Sequence, residues 1–322
     1  MSLFPGLDAA FLNILQPRVA GDPMREGVLW TNLSRAAIVA ALAERGFHVS
    51  VPVVSQLLER HNLGRRKAQK SLPLKRHAQR DQQFQVIARV RAEYENSPNP
   101  ILSVDTKHKE FLGLLFRAGR LYTQRPLQAL DHDFPSAAEG VLHPHGIYDC
   151  KRNLGHINLG LSHDTSRFAC DSVAYWWDRF GRAAFPQATS ILMLCDGGGS
   201  NAANRHVFKY HLEHLADRMG REIRVTHYPP YCSKYNPIEH RFFPHVTRVC
   251  QGILFTSLEV VCQAMARAST KTGLTTTVHV LPGNYPVGEK APKNYKKTSK
   301  ILFDEDLPAW NYRAVPAKSG SC

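Results

Sequence analysis

A chain of 322 residues can hold one large globular domain with a smaller companion. Its 43% hydrophobic and 21% charged content is that of an ordinary globular protein, and no apolar window approaches a membrane span, so no membrane partner is expected. Forty-one Lys and Arg against 27 Asp and Glu leave a formal charge of +14, which favours a polyanionic partner because each neutralised phosphate releases counterions.

Residues Met1 to Gly21 show no basic flank followed by an apolar core, so a cytoplasmic protein is expected. The seven cysteines are scattered and never spaced C-x-x-C, which argues for reduced thiols over a disulfide framework or a structural zinc site.

In chain order, residues 1–30 read as an irregular segment, and 31–64 as two short amphipathic helices. Ser34 can cap the first and Gly46 end it; Ser50 can cap the second, with Pro52 in its first turn. Two short helices across a tight turn of about four residues are the spacing of a helix-turn-helix, whose second helix enters the major groove. Ser55, Gln56 and Arg60 are exposed positions there, and Arg65, Arg66 and Lys67 open the basic run that follows. A plain helical hairpin is the alternative, and the adjoining basic run favours nucleic acid.

Residues 65–97 read as a basic linker and a helix from about Gln79 to Glu95, and Ser97-Pro98-Asn99-Pro100 as the boundary of a second domain over 98–270. Within it, Ile101–Asp105 and Phe111–Phe116 predict a hairpin, His156–Leu161 a strand, and Phe168–Phe180 a helix. Ile191–Cys195 predicts a buried strand, Asn204–Met219 a helix, Glu222–His227 a strand, and a last helix starts near Asn236. This order is α/β, a mixed sheet with helices on its faces. Residues 271–322 read as a basic C-terminal extension.

Three carboxylates stand where such folds place function. Asp105 and Asp196 each end a strand, and Glu239 lies in the first turn of the last helix. Hard divalent cations prefer carboxylate oxygens, and phosphodiester chemistry uses two of them about 3.5–4 Å apart. Each acid also has a simpler reading. Asp105 can be a turn residue, Asp196 a loop cap, and Glu239 the third-position partner of an Asn236 capping box. The run Gly197-Gly198-Gly199 lacks the Lys-Ser/Thr of a P-loop, and His143-Pro144-His145 is more simply a loop than a zinc site.

Val104-Asp105-Thr106-Lys107, Cys195-Asp196-Gly197-Gly198-Gly199-Ser200-Asn201 and the stretch from Pro229 to Phe243, together with Gly146-Ile147-Tyr148-Asp149, Asp164 to Asp171, Trp176-Trp177 and Trp310-Asn311-Tyr312, occur in one order. On these residues the chain resembles the DDE transposases of bacterial insertion sequences, and more narrowly the Rhodopirellula-type transposase DDE domain. The resemblance implies a ribonuclease-H-like sheet preceded by a small helical DNA-binding region. It implies two Mg²⁺ ions (Mn²⁺ being an alternative) on Asp105, Asp196 and Glu239, nicking at element ends, and transfer of the freed 3′-hydroxyl into target DNA. Lys107, His240 and Arg241 would lie near double-stranded DNA, and the protein would act as a homo-oligomer associated with the nucleoid. Two departures from the family pattern, a short helical N-terminus and Pro244 beyond Glu239, support an alternative: a truncated, catalytically silent DNA-binding protein.

Overall fold

The computed structural model describes residues 4–15, 19–21, 29–31, 33–65 and 77–317. The chain divides into two compact units, Met1–Leu72 and Pro73–Cys322.

The first unit holds α1 (Leu7–Leu15), the antiparallel pair β1 (Val19–Gly21) and β2 (Leu29–Thr31), α2 (Arg35–Ala43) and α3 (Val51–Arg60). In α1, Leu7, Phe11, Ile14 and Leu15 recur at helical spacing. They bury against Ile38 and Leu42 of α2 and Val54 and Leu57 of α3. The segment over 1–30, expected to be irregular, thus supplies a helix to this core. Ser34 caps α2, its Oγ accepting from the Ala37 N–H at 3.1 Å. Ser50 makes no such bond, and Pro52 alone preforms the first turn of α3. The connection over 44–50 is longer than the expected turn. Of the basic run, Arg65 is exposed, whereas Arg66 and Lys67 lie outside the described residues.

The second unit opens with α4 (Arg80–Glu95), then β3 (Ile101–Thr106), β4 (Glu110–Leu112), β5 (Gly140–Asp149) and β6 (Leu154–Gly160). Next come α5 (Ser166–Trp176), a π-helical turn over Trp177–Gly181, α6 (Arg182–Ala184), β7 (Ser190–Cys195), α7 (His206–Met219) and β8 (Glu222–His227). The remainder is α8 (Pro237–Arg241), α9 (Phe243–Val249), α10 (Leu258–Ala266), β9 (Thr275–Leu281), α11 (Tyr295–Thr298), β10 (Ile301–Phe303) and β11 (Asn311–Ala314).

The sheet runs β10-β11-β8-β7-β3-β5-β6-β9. Strands β3, β5 and β6 are antiparallel neighbours, and β7 and β8 continue from β3 in parallel. This is the mixed, ribonuclease-H-like sheet with flanking helices that was expected. Residues of β7 are buried on both faces, as a central parallel strand requires. One face packs Leu102, Val104, Met193 and Cys195 under α5 and α7, with Trp176 and Trp177 buried there. The opposite face packs Ile101, Leu192 and Leu194 under α4, and Tyr148 and Ile157 under α8, α9 and α10.

Three expectations change. The hairpin of β3 with β4 does not form. Instead β5 pairs β3 through His145–Asp149 and β4 through Gly140–Leu142. The segment Ser97-Pro98-Asn99-Pro100 is no domain boundary, since Lys151 Nζ donates to the carbonyls of Tyr94, Ser97 and Asn99 and ties α4 to the sheet. Residues beyond 270 are no appendage, because β9 adds to β6 in parallel and β11 to β8 antiparallel. Among the described residues, no helix is long and apolar enough to cross a membrane, and the six described cysteines are free.

Candidate active site

The last register pair between β3 and β7 is Val104 with Cys195, so Asp105 and Asp196 follow side by side at the carboxyl ends of adjacent parallel strands. Side chains alternate along a strand. With Val104 and Cys195 pointing into the core under α5 and α7, the two acids point to the other face, where α8 lies. Asp105 Oδ1 accepts the Thr106 N–H at 2.7 Å, and the Gly198 N–H supports the Asp196 carboxylate.

Glu239 reaches the pair because α8 is stitched to β3. Asn236 precedes α8, yet its side chain makes no cap bond. Its Oδ1 accepts from Ser103 Oγ, its Nδ2 donates to the Val104 carbonyl, and Ser103 Oγ in turn accepts the Ile238 N–H at 2.9 Å. The capping box is therefore not formed: the Asn236 N–H donates to the Ser233 carbonyl, and the Glu239 carboxyl meets Asp105 in a side-chain hydrogen bond. Two glycines permit the approach. A Cβ at Gly146, opposite Asp105 in register, would lie 2.5 Å from the Phe243 ring and 2.8 Å from Ile238, and one at Gly155 would overlap the Phe242 ring. Pro244 does not bend the helix of Glu239. The chain breaks at Phe242 (φ −125°, ψ −60°), and Pro244 stands in the first turn of the separate helix α9, where its missing N–H costs nothing.

Burial is the largest cause that raises the Asp105 carboxyl above its ordinary range, followed by the charge of Asp196 and the hydrogen bond that protonated Asp105 donates to Glu239. Asp196 is also raised, first by burial and further by the charges of Glu239 and Asp164, with the Gly198 N–H opposing. Three hard-oxygen donors that repel one another in a partly dry site form an environment whose unmet demand is positive charge. By donor chemistry the site fits a divalent cation. As the side chains stand, no group of three or more His, Cys, Asp or Glu among the described residues closes into a metal site.

A fourth carboxylate was missed. Asp164, just before α5, accepts from Thr106 Oγ1 at 3.0 Å and from Ser200, so it contacts both acid-bearing segments. Its place in the stretch Asp164 to Asp171 was the only signal available. Ser103 and Asn236, which orient α8, had none beyond their type.

The expected DNA contacts divide. Gln56, Arg65, His240 and Arg241 are exposed. Ser55 is half-buried, between the Arg35 guanidinium and the Val51 carbonyl. Arg60 is paired with Asp8 at 2.7 Å. Lys107 is withdrawn into the protein, its ammonium and the Arg117 guanidinium neutralising buried Glu110. Its charge is thereby matched internally, and it is not a free phosphate contact. His143 and His145 are strand residues of β5, and His145 is fully buried with neither ring nitrogen bonded.

A family model described as the Rhodopirellula transposase DDE domain matches residues 10–316. No curated protein matches the chain. Among solved structures, the Mos1 transposase paired-end complex with left transposon end is 15% identical over 79% of this chain and 76% of that chain, with a TM-score of 0.44. The mariner Mos1 paired end complex with Mg is 14% identical over 82% of this chain and 71% of that one, with a TM-score of 0.45.

Proposed function

Since the chain belongs to the Rhodopirellula-type DDE transposase family, we propose that it is a catalytically competent DNA transposase working through Asp105, Asp196 and Glu239. The observation that carries this reading is the convergence of the three acids, with Asp105 bonded to Glu239 and Asp196 repelling both. Two Mg²⁺ ions bound there would activate the attacking water or 3′-hydroxyl and stabilise the leaving oxygen. Asp105, Asp196 and Glu239 would together supply the carboxylate oxygens that hold the ions. The strand ends and the Asn236–Ser103 stitch hold the oxygens at fixed spacing, which lowers the reorganisation needed when the scissile phosphate arrives.

The reaction is nicking at the ends of the element, followed by transfer of the freed 3′-hydroxyl into target DNA, by an oligomer that holds paired ends in the cytoplasm at the nucleoid. Ser55, Gln56, Arg60, Arg65, Arg66 and Lys67 contact duplex DNA. His240 and Arg241 flank the strand at the acids. The silent-protein reading loses one of its supports, because Pro244 starts a helix of its own.

Incubating the protein with labelled element ends and Mg²⁺ tests the proposal. Mg²⁺-dependent nicks that vanish in Asp196→Asn and Glu239→Gln are expected. Retained DNA binding without any nick would leave only a binding protein.

A further inference from the structure

Asp196 is followed by Gly197, Gly198 and Gly199, the three residues with the most backbone freedom and no side chains to restrain them. A carboxylate at such a point needs its peptide held from outside. His227, the last residue of β8, does so. It is fully buried and lies beside Cys195 in register, with Nδ1 2.8 Å from the Asp196 carbonyl oxygen. A carbonyl only accepts, so Nδ1 carries the hydrogen. Nε2 is then an acceptor, and the Tyr312 hydroxyl, 2.8 Å away, donates to it. The ring has one tautomer and both nitrogens are engaged.

The main chain of His227 is held as firmly. Its N–H donates to the Trp310 carbonyl at 3.0 Å, and its carbonyl accepts from Gln83 Nε2 of α4 at 2.8 Å. Gln83 Oε1 accepts from Asn311 Nδ2 at 2.7 Å. Each residue of Trp310-Asn311-Tyr312 thus touches His227 or the side chain that supports it. The Lys209 ammonium stands 4.6 Å from the centre of the Tyr312 ring.

We propose that Tyr312 and His227 are positioning residues of the active site, transmitting the order of the last strand to the Asp196 carboxylate through its own carbonyl. This rests on the reading of Asp196 as a metal ligand. Supporting residues one step removed from a metal are worth about 10–100-fold in metal affinity or activity.

The test uses the full chain and Mn²⁺ alone as probe. Tyr312→Phe removes one hydroxyl. His227→Asn keeps a donor near the Nδ1 position and loses the link to Tyr312. His227→Leu removes both. Calorimetry should show Mn²⁺ binding weakened about 10-fold in Tyr312→Phe, more in His227→Leu, and less in His227→Asn than in His227→Leu. Hydrogen exchange should accelerate over 196–201 in Tyr312→Phe and His227→Leu, with β3 and β6 unchanged. Lower melting temperatures with unaltered Mn²⁺ affinity and unaltered exchange over 196–201 would overturn the proposal, since that is how plain core residues behave. Wild-type protein that binds no Mn²⁺ would refute the metal reading of the acids, and the exchange over 196–201 would then decide the positioning role by itself.

Discussion

At the residue scale, the acids proposed to do the chemistry also work against the fold. Burial raises both carboxyls, helped by the charge of Asp196 at Asp105 and by those of Glu239 and Asp164 at Asp196, so above an unfolded pKa of about 3.9 both acids cost the metal-free native state stability. Asp105→Asn is therefore expected to abolish nicking and raise the melting temperature in chelator, by about 2–4 °C for each kcal/mol of repulsion relieved. Mg²⁺ should stabilise the wild type and leave the variant unmoved. A variant that melts lower in chelator would contradict the repulsion.

The buried histidines give the opposite pH signature. Burial lowers His145 to about 3 and His156 and His227 to about 4, against an unfolded value of about 6.5. The unfolded chain binds their protons first as pH falls, so stability is complete above about pH 6.5 and is lost on the way down to about pH 4. The loss is on the order of 3 kcal/mol for each of His156 and His227. Urea unfolding at pH 7, 6 and 5 measures it, and a flat stability over that window would show that these rings are solvated.

At the scale of elements, placement of Glu239 depends on two glycines of the neighbouring strands. Gly146→Ala and Gly155→Ala drive a methyl group into the rings of Phe243 and Phe242. Each is expected to destabilise by about 1–3 kcal/mol, as overpacking does, and to cut nicking more than the stability loss explains, because α8 moves off β3. Denaturant unfolding beside a nicking assay at a temperature where both variants are folded separates the two effects. Normal nicking by folded Gly146→Ala would show that α8 tolerates displacement.

This packing explains what the sequence could and could not disclose. β7 is legible because a strand buried on both faces must be apolar throughout, and α2, α4 and α7 because their apolar residues keep helical spacing. β5 is not legible. It carries Gly140, Pro144 and Gly146 within ten residues, poor strand formers, and Gly146 at least is there because Ile238 and Phe243 lie close against it. The hairpin expected of β3 and β4 failed for the same reason, since its true partner was invisible. Asp105, Asp196 and Glu239 could be picked out as strand-end and helix-end acids. That Glu239 turns towards Asp105 instead of capping its helix depends on Ser103 and Asn236, a contact between residues 133 apart that no local pattern encodes. Lys107 illustrates the converse, a cation in a site motif whose charge an internal Glu110 absorbs.

At the scale of the molecule, the excess of +14 predicts strong salt dependence of DNA binding. The logarithm of affinity should fall linearly with the logarithm of salt, with a slope of about −0.9 for each phosphate neutralised. Fluorescence anisotropy on duplex ends between about 50 and 200 mM salt measures it. Arg65→Ala should reduce the slope by about one phosphate contact without changing preference among sequences. An unchanged slope would remove Arg65 from the interface.

The sheet is completed by strands made last, and this orders events in time. Gln83 and Asn311 are 228 residues apart, and at about 5–20 residues per second a ribosome takes roughly 10–50 s to travel between them. Until β11 emerges, β8 is an open edge and His227 has no Tyr312 to fix its ring. A nascent chain therefore carries all three acids before the Tyr312 hydroxyl can fix the ring that holds the Asp196 carbonyl.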